Sequence, residues 1–230
     1  MKTWNELQEG VYDPNIFKAF FLAGGPGSGK SYVVQRTTGG LGMRVVNPDT
    51  AFEKLLRDAN LSLKMPETER GPRDVVRAKA KALEMKRKQN YIEGRLGLII
   101  DGTGHDFAKI TKQARELENL GYDTHMIFVN TSLDVALERN QMRPRSIPEK
   151  IVTQSWKDVQ KNIGKFSNFF KGRFIIVDNN DPNEPPHIEV FKRVRNLAKK
   201  KVQNTRAKQW IARELELKKR TWQTPHYLVL

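Results

Sequence analysis

A glycine-rich segment near the start of the chain has residue types and a spacing that hold phosphate groups. Between Gly24 and Ser31 it reads Gly-Gly-Pro-Gly-Ser-Gly-Lys-Ser, a glycine and four residues followed by Gly-Lys-Ser. In this pattern backbone N–H groups surround the phosphates, the lysine reaches the β- and γ-phosphates, and the hydroxyl ligates Mg²⁺. We expect ATP and Mg²⁺ as cofactors, with Lys30 catalytic and Ser31 on the metal. The predicted nucleotide contacts are Gly24, Gly25, Pro26, Gly27, Ser28, Gly29, Lys30 and Ser31.

The surroundings of this loop favour nucleotide binding over an ordinary glycine-rich turn. An apolar run precedes the loop and Tyr32-Val33-Val34 follows it as the start of a predicted helix, so loop and helix N–H groups can converge on phosphate oxygens. The sequence contains no Asn-Lys-x-Asp motif of guanine-binding proteins, and the chain is short for a motor ATPase. The sequence therefore indicates a small phosphotransferase.

An aspartate follows the second apolar run, in the order Val45-Val46-Asn47-Pro48-Asp49. The carboxyl ends of parallel strands face the ligand crevice of a doubly wound sheet, so Asp49 can bind the acceptor and take the proton of its hydroxyl as a kinase base does. The alternative is that Asp49 caps a helix that begins near Ala51. Both roles are compatible.

A second acid follows the run Leu98-Ile99-Ile100, in the segment Asp101-Gly102-Thr103-Gly104. An apolar strand ending in an acid is typical of a Walker B element, in which Asp101 would hold Mg²⁺ through water. Asp101 and Thr103 would otherwise bind the acceptor. The glycines would otherwise only form a turn.

Three arginines, Arg139, Arg143 and Arg145, lie at the end of a predicted helix and beside Pro144 and Pro148. We predict a lid at about residues 139–148 that brings guanidinium charge to the transferring phosphoryl group. Arg139 and Arg143 would be catalytic, Arg139 would also contact the nucleotide, and Arg145 would bind the acceptor. The alternative is a solvated basic surface.

Short apolar runs alternate with longer helical stretches, which predicts an α/β fold with a parallel sheet between helices. The expected strands are Ala19–Ala23, Met43–Val46, Leu96–Ile100, Thr124–Val129 and Arg173–Val177. Helices are predicted at residues 72–88, with Val76, Ala80 and Leu83 as its apolar stripe, and from Pro148 to about Phe166. We expect a core at residues 1–203, including a helical substrate region at about 51–93, and a basic helical extension at residues 204–230.

The net charge of +15 is concentrated in two segments. Residues 192–220 hold twelve Lys or Arg against two acids, and residues 64–95 hold ten against five. Such clustering favours a polyanionic partner, although basic helical surfaces are also common. Arg73 and Arg77, four residues apart, are predicted to bind the acceptor, and Trp210, Trp222 and Tyr227 to stack on bases.

The composition also predicts which classes of site and location do not apply. The sequence contains no cysteine and its four histidines lack ligand spacing, so disulfides and a histidine metal site are not expected. It has no predicted signal peptide or membrane span. We expect a cytoplasmic protein.

The loop 24–31, the Asn-Pro-Asp and Ile-Ile-Asp-Gly-Thr-Gly segments and the three arginines occur in the order found in one group of P-loop kinases. Over about residues 20–178 the chain resembles the zeta-toxin and polynucleotide-kinase group. The resemblance implies a five-stranded parallel core, Asp49 as the base, Arg139 and Arg143 as lid residues, and Asn179 and Asn180 near the adenine. Zeta toxins usually carry Glu, one methylene longer, where this chain has Asp101, and sugar recognition is the property on which this difference bears.

Three functions fit these observations. The first is a kinase for a nucleic-acid hydroxyl, either a 5′ end or a hydroxymethylated base, because two basic segments can neutralise phosphates. The second is a nucleotide-sugar kinase like the zeta toxins, in which the basic extension packs or binds a protein partner. The third is a nucleic-acid-binding NTPase that uses ATP as a switch.

Overall fold

A five-stranded parallel sheet organises the computed structural model, which describes residues 10–13, 15–143, 146–181 and 188–223. The strand order is β2-β3-β1-β4-β5, and every neighbouring pair is parallel. This is the predicted α/β fold. The strands are β1 (Lys18–Ala23), β2 (Arg44–Val46), β3 (Leu98–Asp101), β4 (Asp123–Asn130) and β5 (Phe174–Asp178).

Helices connect the strands and cover both faces of the sheet. They are α1 (Lys30–Thr38), α2 (Pro48–Asp58), α3 (Arg70–Glu93), α4 (Phe107–Leu120), α5 (Leu133–Gln141), α6 (Glu149–Gln160), α7 (Ile163–Phe170), α8 (Ile188–Lys199) and α9 (Thr205–Gln223). None of the helices in the described ranges is long and apolar enough to cross a membrane.

Alternate residues of the central strands pack on opposite faces of the sheet, as the two-residue period of a strand requires. On one face, Phe21, Met126 and Phe128 pack with residues of α4, α7 and α9. On the other face, Phe20 and Ile127 join a cluster that includes residues of α1 and α8. Both faces are therefore buried, and the ligand-binding region is left to the strand ends.

Helices α2 and α3 form a hairpin beside the edge strand β2. Phe52, Leu56, Val76 and Ala80 make its small apolar core. Leu83, predicted to continue the stripe, is 48% exposed, so that part of the prediction is wrong. The stripe continues instead at Glu84, only 6% exposed, because 76, 80 and 84 follow the four-residue spacing of one helical face.

The predicted helix from Pro148 to Phe166 is two helices, α6 and α7, with a break at Asn162. The Asn162 side chain donates hydrogen bonds to the carbonyls of Gly104 at 3.1 Å and His105 at 2.8 Å. Local pattern predicted helix through this position because the bonds that favour the break come from the loop after β3, distant in sequence.

The C-terminal extension forms α9, which packs across the amino ends of the strands. Ala207 is fully buried, and Trp210 lies 5.4 Å from Phe17 between ring centroids. Phe17 directly precedes β1, so α9 and the carboxyl strand ends lie at opposite edges of the sheet. Trp210 is partly buried and packs against the core, which argues against the prediction that it stacks on bases; the Trp222 side chain and Tyr227 lie outside the described residues.

Candidate active site

The glycine-rich loop joins β1 to α1 in a conformation that depends on glycine. Gly27 and Gly29 have φ of +80° and +83°, a region that side chains with a Cβ rarely adopt. A Cβ on Gly27 would collide with the Ala136 carbonyl, and one on Gly29 with the Asn179 amide. The loop is therefore tightly enclosed by α5 and by the segment after β5.

Lys30 is the first residue of α1 and its ammonium points back over the loop. Its Nζ donates a hydrogen bond to the Gly24 carbonyl at 2.7 Å and lies 3.4 Å from that of Gly25. Burial lowers the pKa of Lys30, whereas the negative charges of Asp101 and Asp49 raise it. An anion beside this ammonium would be well stabilised, because the enclosed cation has little water around it.

Asn47 connects the two candidate acids at the junction of β2 and α2. Its Oδ1 accepts the Asp49 N–H at 2.8 Å, and its Nδ2 donates to Asp101 Oδ2 at 2.7 Å. Its own N–H donates to the buried Glu84 Oε1 at 3.0 Å. The helix begins at Pro48 with Asn47 as its cap, so the alternative that Asp49 is the cap is wrong. Asp49 lies in the first turn.

Asp101 ends β3 with one carboxylate oxygen engaged and one not. Oδ2 accepts from Asn47, while Oδ1 is buried and has no hydrogen-bond partner among the described residues. Burial raises the pKa of Asp101, the nearby Lys30 ammonium lowers it, and Asp49 raises it further. A buried polar atom without a partner is costly and suits a ligand. Its hard oxygen suits a water molecule bound to Mg²⁺ or an acceptor hydroxyl.

Arg139 and Arg143 reach the site from α5 and from the residues that follow it. Arg139 donates to the backbone carbonyl of Asn179 at 2.6 Å, which holds its guanidinium beside the loop. The charge of Arg143 lowers the pKa of both Lys30 and Asp101, so it acts on the same space. Arg145 lies outside the described residues.

Asn179 supports the loop from behind. It is 6% exposed, and its Nδ2 donates to the Ser28 carbonyl at 2.8 Å. Ser28 is itself 1% exposed. Neither lines the open cleft, so the structure assigns Asn179 a contact with the loop backbone and gives no evidence for its predicted contact with the nucleotide.

A cleft of about 680 Å³ brings most predicted residues together at the carboxyl edge of the sheet. Its lining residues are Gly25, Pro26, Gly27, Gly29, Lys30, Ser31, Tyr32, Asn47, Pro48, Asp49, Thr50, Glu53, Asp101, Gly102, Thr103, Arg139, Arg143 and Ile147. The charges follow the strand order. Asp49 and Glu53 lie in α2, which follows β2, and Asp101 ends β3, whereas the cations follow β1 and β4.

Two predicted acceptor residues do not line this cleft. Arg73 donates to the Met65 carbonyl at 2.7 Å, and the Arg77 guanidinium lies 4.7 Å from the Phe52 ring centroid. Both arginines hold the α2–α3 hairpin together. Arg73 and Arg77 lie in the segment that follows Asp49, which alone predicts them near the acceptor. Sequence proximity does not determine the direction in which a helical face points.

Asn47, Glu53 and Glu84 were missed as site residues. Asn-Pro before a helix is a recognisable cap, because proline is favoured at the first helical position. The acid at position 84 could have been found as the third member of the stripe that begins at Val76 and Ala80. Glu53 follows Asp49 by four residues in α2, and this spacing of one helical face could have identified it.

A family model described as zeta toxin matches residues 4–184. The chain belongs to the zeta toxin family. A comparison of the sequence with curated proteins gives no match. The polynucleotide-kinase part of the resemblance stays a prediction.

Several solved structures share the fold at low sequence identity. One is the AvrRxo1-ORF1:AvrRxo1-ORF2 complex, with a TM-score of 0.59 and 13% identity over 77% of this chain and 63% of that chain. The same complex with ATP has a TM-score of 0.56 and 14% identity, over 82% and 65%. The zeta toxin family member thus spans less than two thirds of the AvrRxo1 chain.

The PezAT toxin–antitoxin system of the human pathogen Streptococcus pneumoniae is also similar. Its TM-score is 0.50 with 14% identity, over 87% of this chain and 85% of that chain. At these identities the likeness extends to the fold alone.

Proposed function

We propose that the chain transfers the γ-phosphoryl group of Mg-ATP to a hydroxyl on an uncharged polar group, such as a sugar ring. The carrying observation is the separation of charge across the cleft. Lys30, Arg139 and Arg143 line the end beside the glycine-rich loop, whereas Asp49, Glu53 and Asp101 line the other. The cationic end suits the triphosphate, and the acidic end suits a hydrogen-bonding acceptor.

The residues of the cationic end fit a nucleotide triphosphate. The loop N–H groups and Lys30 would hold the β- and γ-phosphates, and Arg139 and Arg143 would act as lid residues that neutralise charge on the transferring group. Ser31 and Asp101 fit Mg²⁺, since Asp101 Oδ1 is a buried acceptor without a partner among the described residues. When bound, the ion neutralises charge on the β- and γ-phosphate oxygens.

Asp49 would act as the base for the acceptor. The acceptor oxygen forms a bond to the γ-phosphorus as the bond from that phosphorus to the bridging oxygen breaks, which leaves ADP. The hydroxyl proton passes to the Asp49 carboxylate. Asn47 holds the Asp49 N–H and the Asp101 carboxylate in one network, which supports a fixed distance between base and metal ligand.

The acidic end argues against a phosphate close to the reacting hydroxyl. Among the described residues that line this end there is no Lys or Arg, and both Arg73 and Arg77 are engaged in the α2–α3 hairpin. This favours a nucleotide sugar over a nucleic-acid 5′ end. The net charge of +15 keeps nucleic acid, above all a hydroxymethylated base, as the second candidate.

The test is transfer of label from γ-labelled ATP with Mg²⁺ to separate acceptors. The set contains nucleotide sugars, an oligonucleotide with a free 5′-hydroxyl, and one with hydroxymethylated bases. Label on a nucleotide sugar alone is expected. Label on either oligonucleotide would replace the leading acceptor, and ATP hydrolysis stimulated by nucleic acid without labelled product would favour the switch.

A further inference from the structure

The chain carries a cluster of exposed basic residues in α8, in α9 and in the turn that joins these helices at the amino edge of the sheet. Between residues 192 and 213 there is no Asp or Glu, and every Lys or Arg in this interval is exposed. We call these residues the basic corner: Lys192, Arg193, Arg195, Lys199, Lys200, Lys201, Arg206, Lys208 and Arg213. They belong to α8, α9 and the turn between them.

The charge of the basic corner is not neutralised internally. Among the described residues, no carboxylate lies within 4.0 Å of any of the nine cations. Asp123 and Glu118, which lie beside the turn, are already engaged, since Asp123 Oδ2 lies 2.7 Å from Lys18 Nζ and Glu118 Oε1 lies 2.6 Å from Arg173 Nη1. A counter-charge must therefore come from solution or from a partner.

The turn between α8 and α9, which carries Lys200 and Lys201, is anchored to the core. The Asp123 carboxylate accepts the N–H groups of Gln203 at 3.0 Å and Asn204 at 3.2 Å, and Asn204 Nδ2 donates to the Glu118 carbonyl at 2.8 Å. Ala207 is fully buried next to this turn. The cations therefore extend from a fixed backbone, which lowers the entropy lost when a partner binds.

The composition of the basic corner distinguishes between two kinds of polyanion. Protein interfaces have an apolar centre rich in aromatic residues and poor in lysine, whereas nucleic-acid interfaces are polar and strongly basic. No large apolar side chain between residues 192 and 213 is exposed, and Trp210 is packed on Phe17. The surface matches the phosphate backbone of a nucleic acid.

We propose that the basic corner is a docking surface for nucleic acid, separate from the catalytic cleft. Lys200 lines a cavity with Lys18 and Tyr122 at the amino strand ends, whereas the cleft lies at the carboxyl ends. The six residues of β1 separate the two edges by roughly 20 Å. Docking therefore does not require nucleic acid to be the acceptor, and it is independent of the proposed phosphoryl transfer.

The test is binding of a fluorescent 20-base-pair duplex by anisotropy, without ATP, over a series of salt concentrations. One variant combines Lys199→Gln, Lys201→Gln and Lys208→Gln. The matched control combines Lys79→Gln, Lys81→Gln and Lys86→Gln, three exposed lysines of α3. Both variants lose the same charge, and melting curves check that both are folded.

If the three corner lysines contact phosphates, the slope of log Kd against log salt concentration should be smaller in the corner variant by roughly 2 to 3, at about 0.9 per contact. The affinity of this variant for the duplex should be at least about tenfold lower than that of the wild type. The control is expected to bind like the wild type. The proposal would be overturned by equal losses of affinity in both variants or by a wild-type protein that does not bind the duplex. It would also be overturned if polyglutamate displaced the labelled duplex as well as unlabelled duplex does. Because no ATP is present, failure here leaves the kinase proposal untouched.

Discussion

A lysine lies near each end of β1, Lys18 at its amino end and Lys30 after the loop at its carboxyl end, and the two ammonium groups have opposite surroundings. At the amino end, Lys18 Nζ lies 2.7 Å from the Asp123 carboxylate, which also accepts two backbone N–H groups. At the carboxyl end, the Lys30 ammonium has backbone carbonyls as its hydrogen-bond partners. The charge of Lys18, paired with a close counter-ion, thus stabilises the fold, whereas the charge of Lys30, held without one among the described residues, stays available to a ligand.

The carboxylates of the two ends give the largest expected difference. Asp49→Asn should lower kcat by between about 10² and 10⁴ with ATP binding retained, because the general base is lost. Asp123→Asn should leave kcat of the folded protein unchanged and destabilise the fold by about 3–5 kcal/mol, since Lys18 loses its partner. Transfer assays, ATP titration and denaturant unfolding distinguish the two. Wild-type activity in Asp49→Asn would remove it as the base.

The lysine pair sharpens the same comparison. Lys30→Met should weaken ATP binding and reduce transfer by about 10² to 10³, the loss usual for one preorganised charge contact, without destabilising the fold. Lys18→Met should do the reverse, with an unfolding free energy lower by about 3–5 kcal/mol. A loss of ATP binding by a folded Lys18→Met protein would contradict the assignment of paired charge to the fold.

Glu84 of α3 accepts the N–H of Asn47, which follows β2 at the carboxyl edge of the sheet. We predict that it acts on the site through Asn47. Glu84→Ala leaves the Asn47 N–H without its acceptor. This should lower the free energy of unfolding by about 1–3 kcal/mol, and it should change kcat more than KM for ATP. Glu84→Gln keeps a carbonyl acceptor and should restore most of kcat. The control is Arg87→Ala, which removes only a 3.9 Å ion pair to a 61% exposed guanidinium. Failure of Gln to rescue kcat would argue against positioning through this hydrogen bond.

The two ends of the sheet also differ in the pH dependence of stability that their buried titratable groups produce. Burial, with the charge of Lys18 beside it, lowers the pKa of His125 to about 4 from 6.5. The unfolded chain then binds more protons between these values, so stability falls as pH drops from about 6.5 to about 4, by up to roughly 3 kcal/mol. Arg173 and Lys200 also oppose protonation, and Asp123 favours it. His125→Phe, which keeps the stack on Phe20, should remove this dependence.

Asp101 has the reverse sign, because burial raises its pKa above 3.8. The folded state binds more protons there, so stability is lost as pH rises from 3.8 through the raised value. Unfolding curves of the wild type, His125→Phe and Asp101→Asn across pH 3–8 measure both dependences. Parallel curves for all three proteins would contradict both signs.

Much of the fold could be predicted from local pattern. Short apolar runs after and before turn residues gave all five strands with ends within two residues of those observed. The break between α6 and α7 could not be predicted, because Asn162 is held by carbonyls of the loop after β3. The prediction for Leu83 is wrong for a related reason. Leu83 and Glu84 both fit the spacing of the apolar stripe, and only the packing against α2 determines that Glu84 is the buried one.

Local sequence is enough to predict the phosphate-binding loop, the strands and the candidate acids at the ends of β2 and β3, because each depends on residues adjacent in the chain. Which charges face the cleft depends instead on how the helices and strands pack. Arg73 and Arg77 turned to the α2–α3 hairpin and Trp210 to the core, while Asn47 joined Asp49 to Asp101. The partner of a side chain depends on the packing of elements that lie far apart in the sequence, so the local spacing of residues does not predict it.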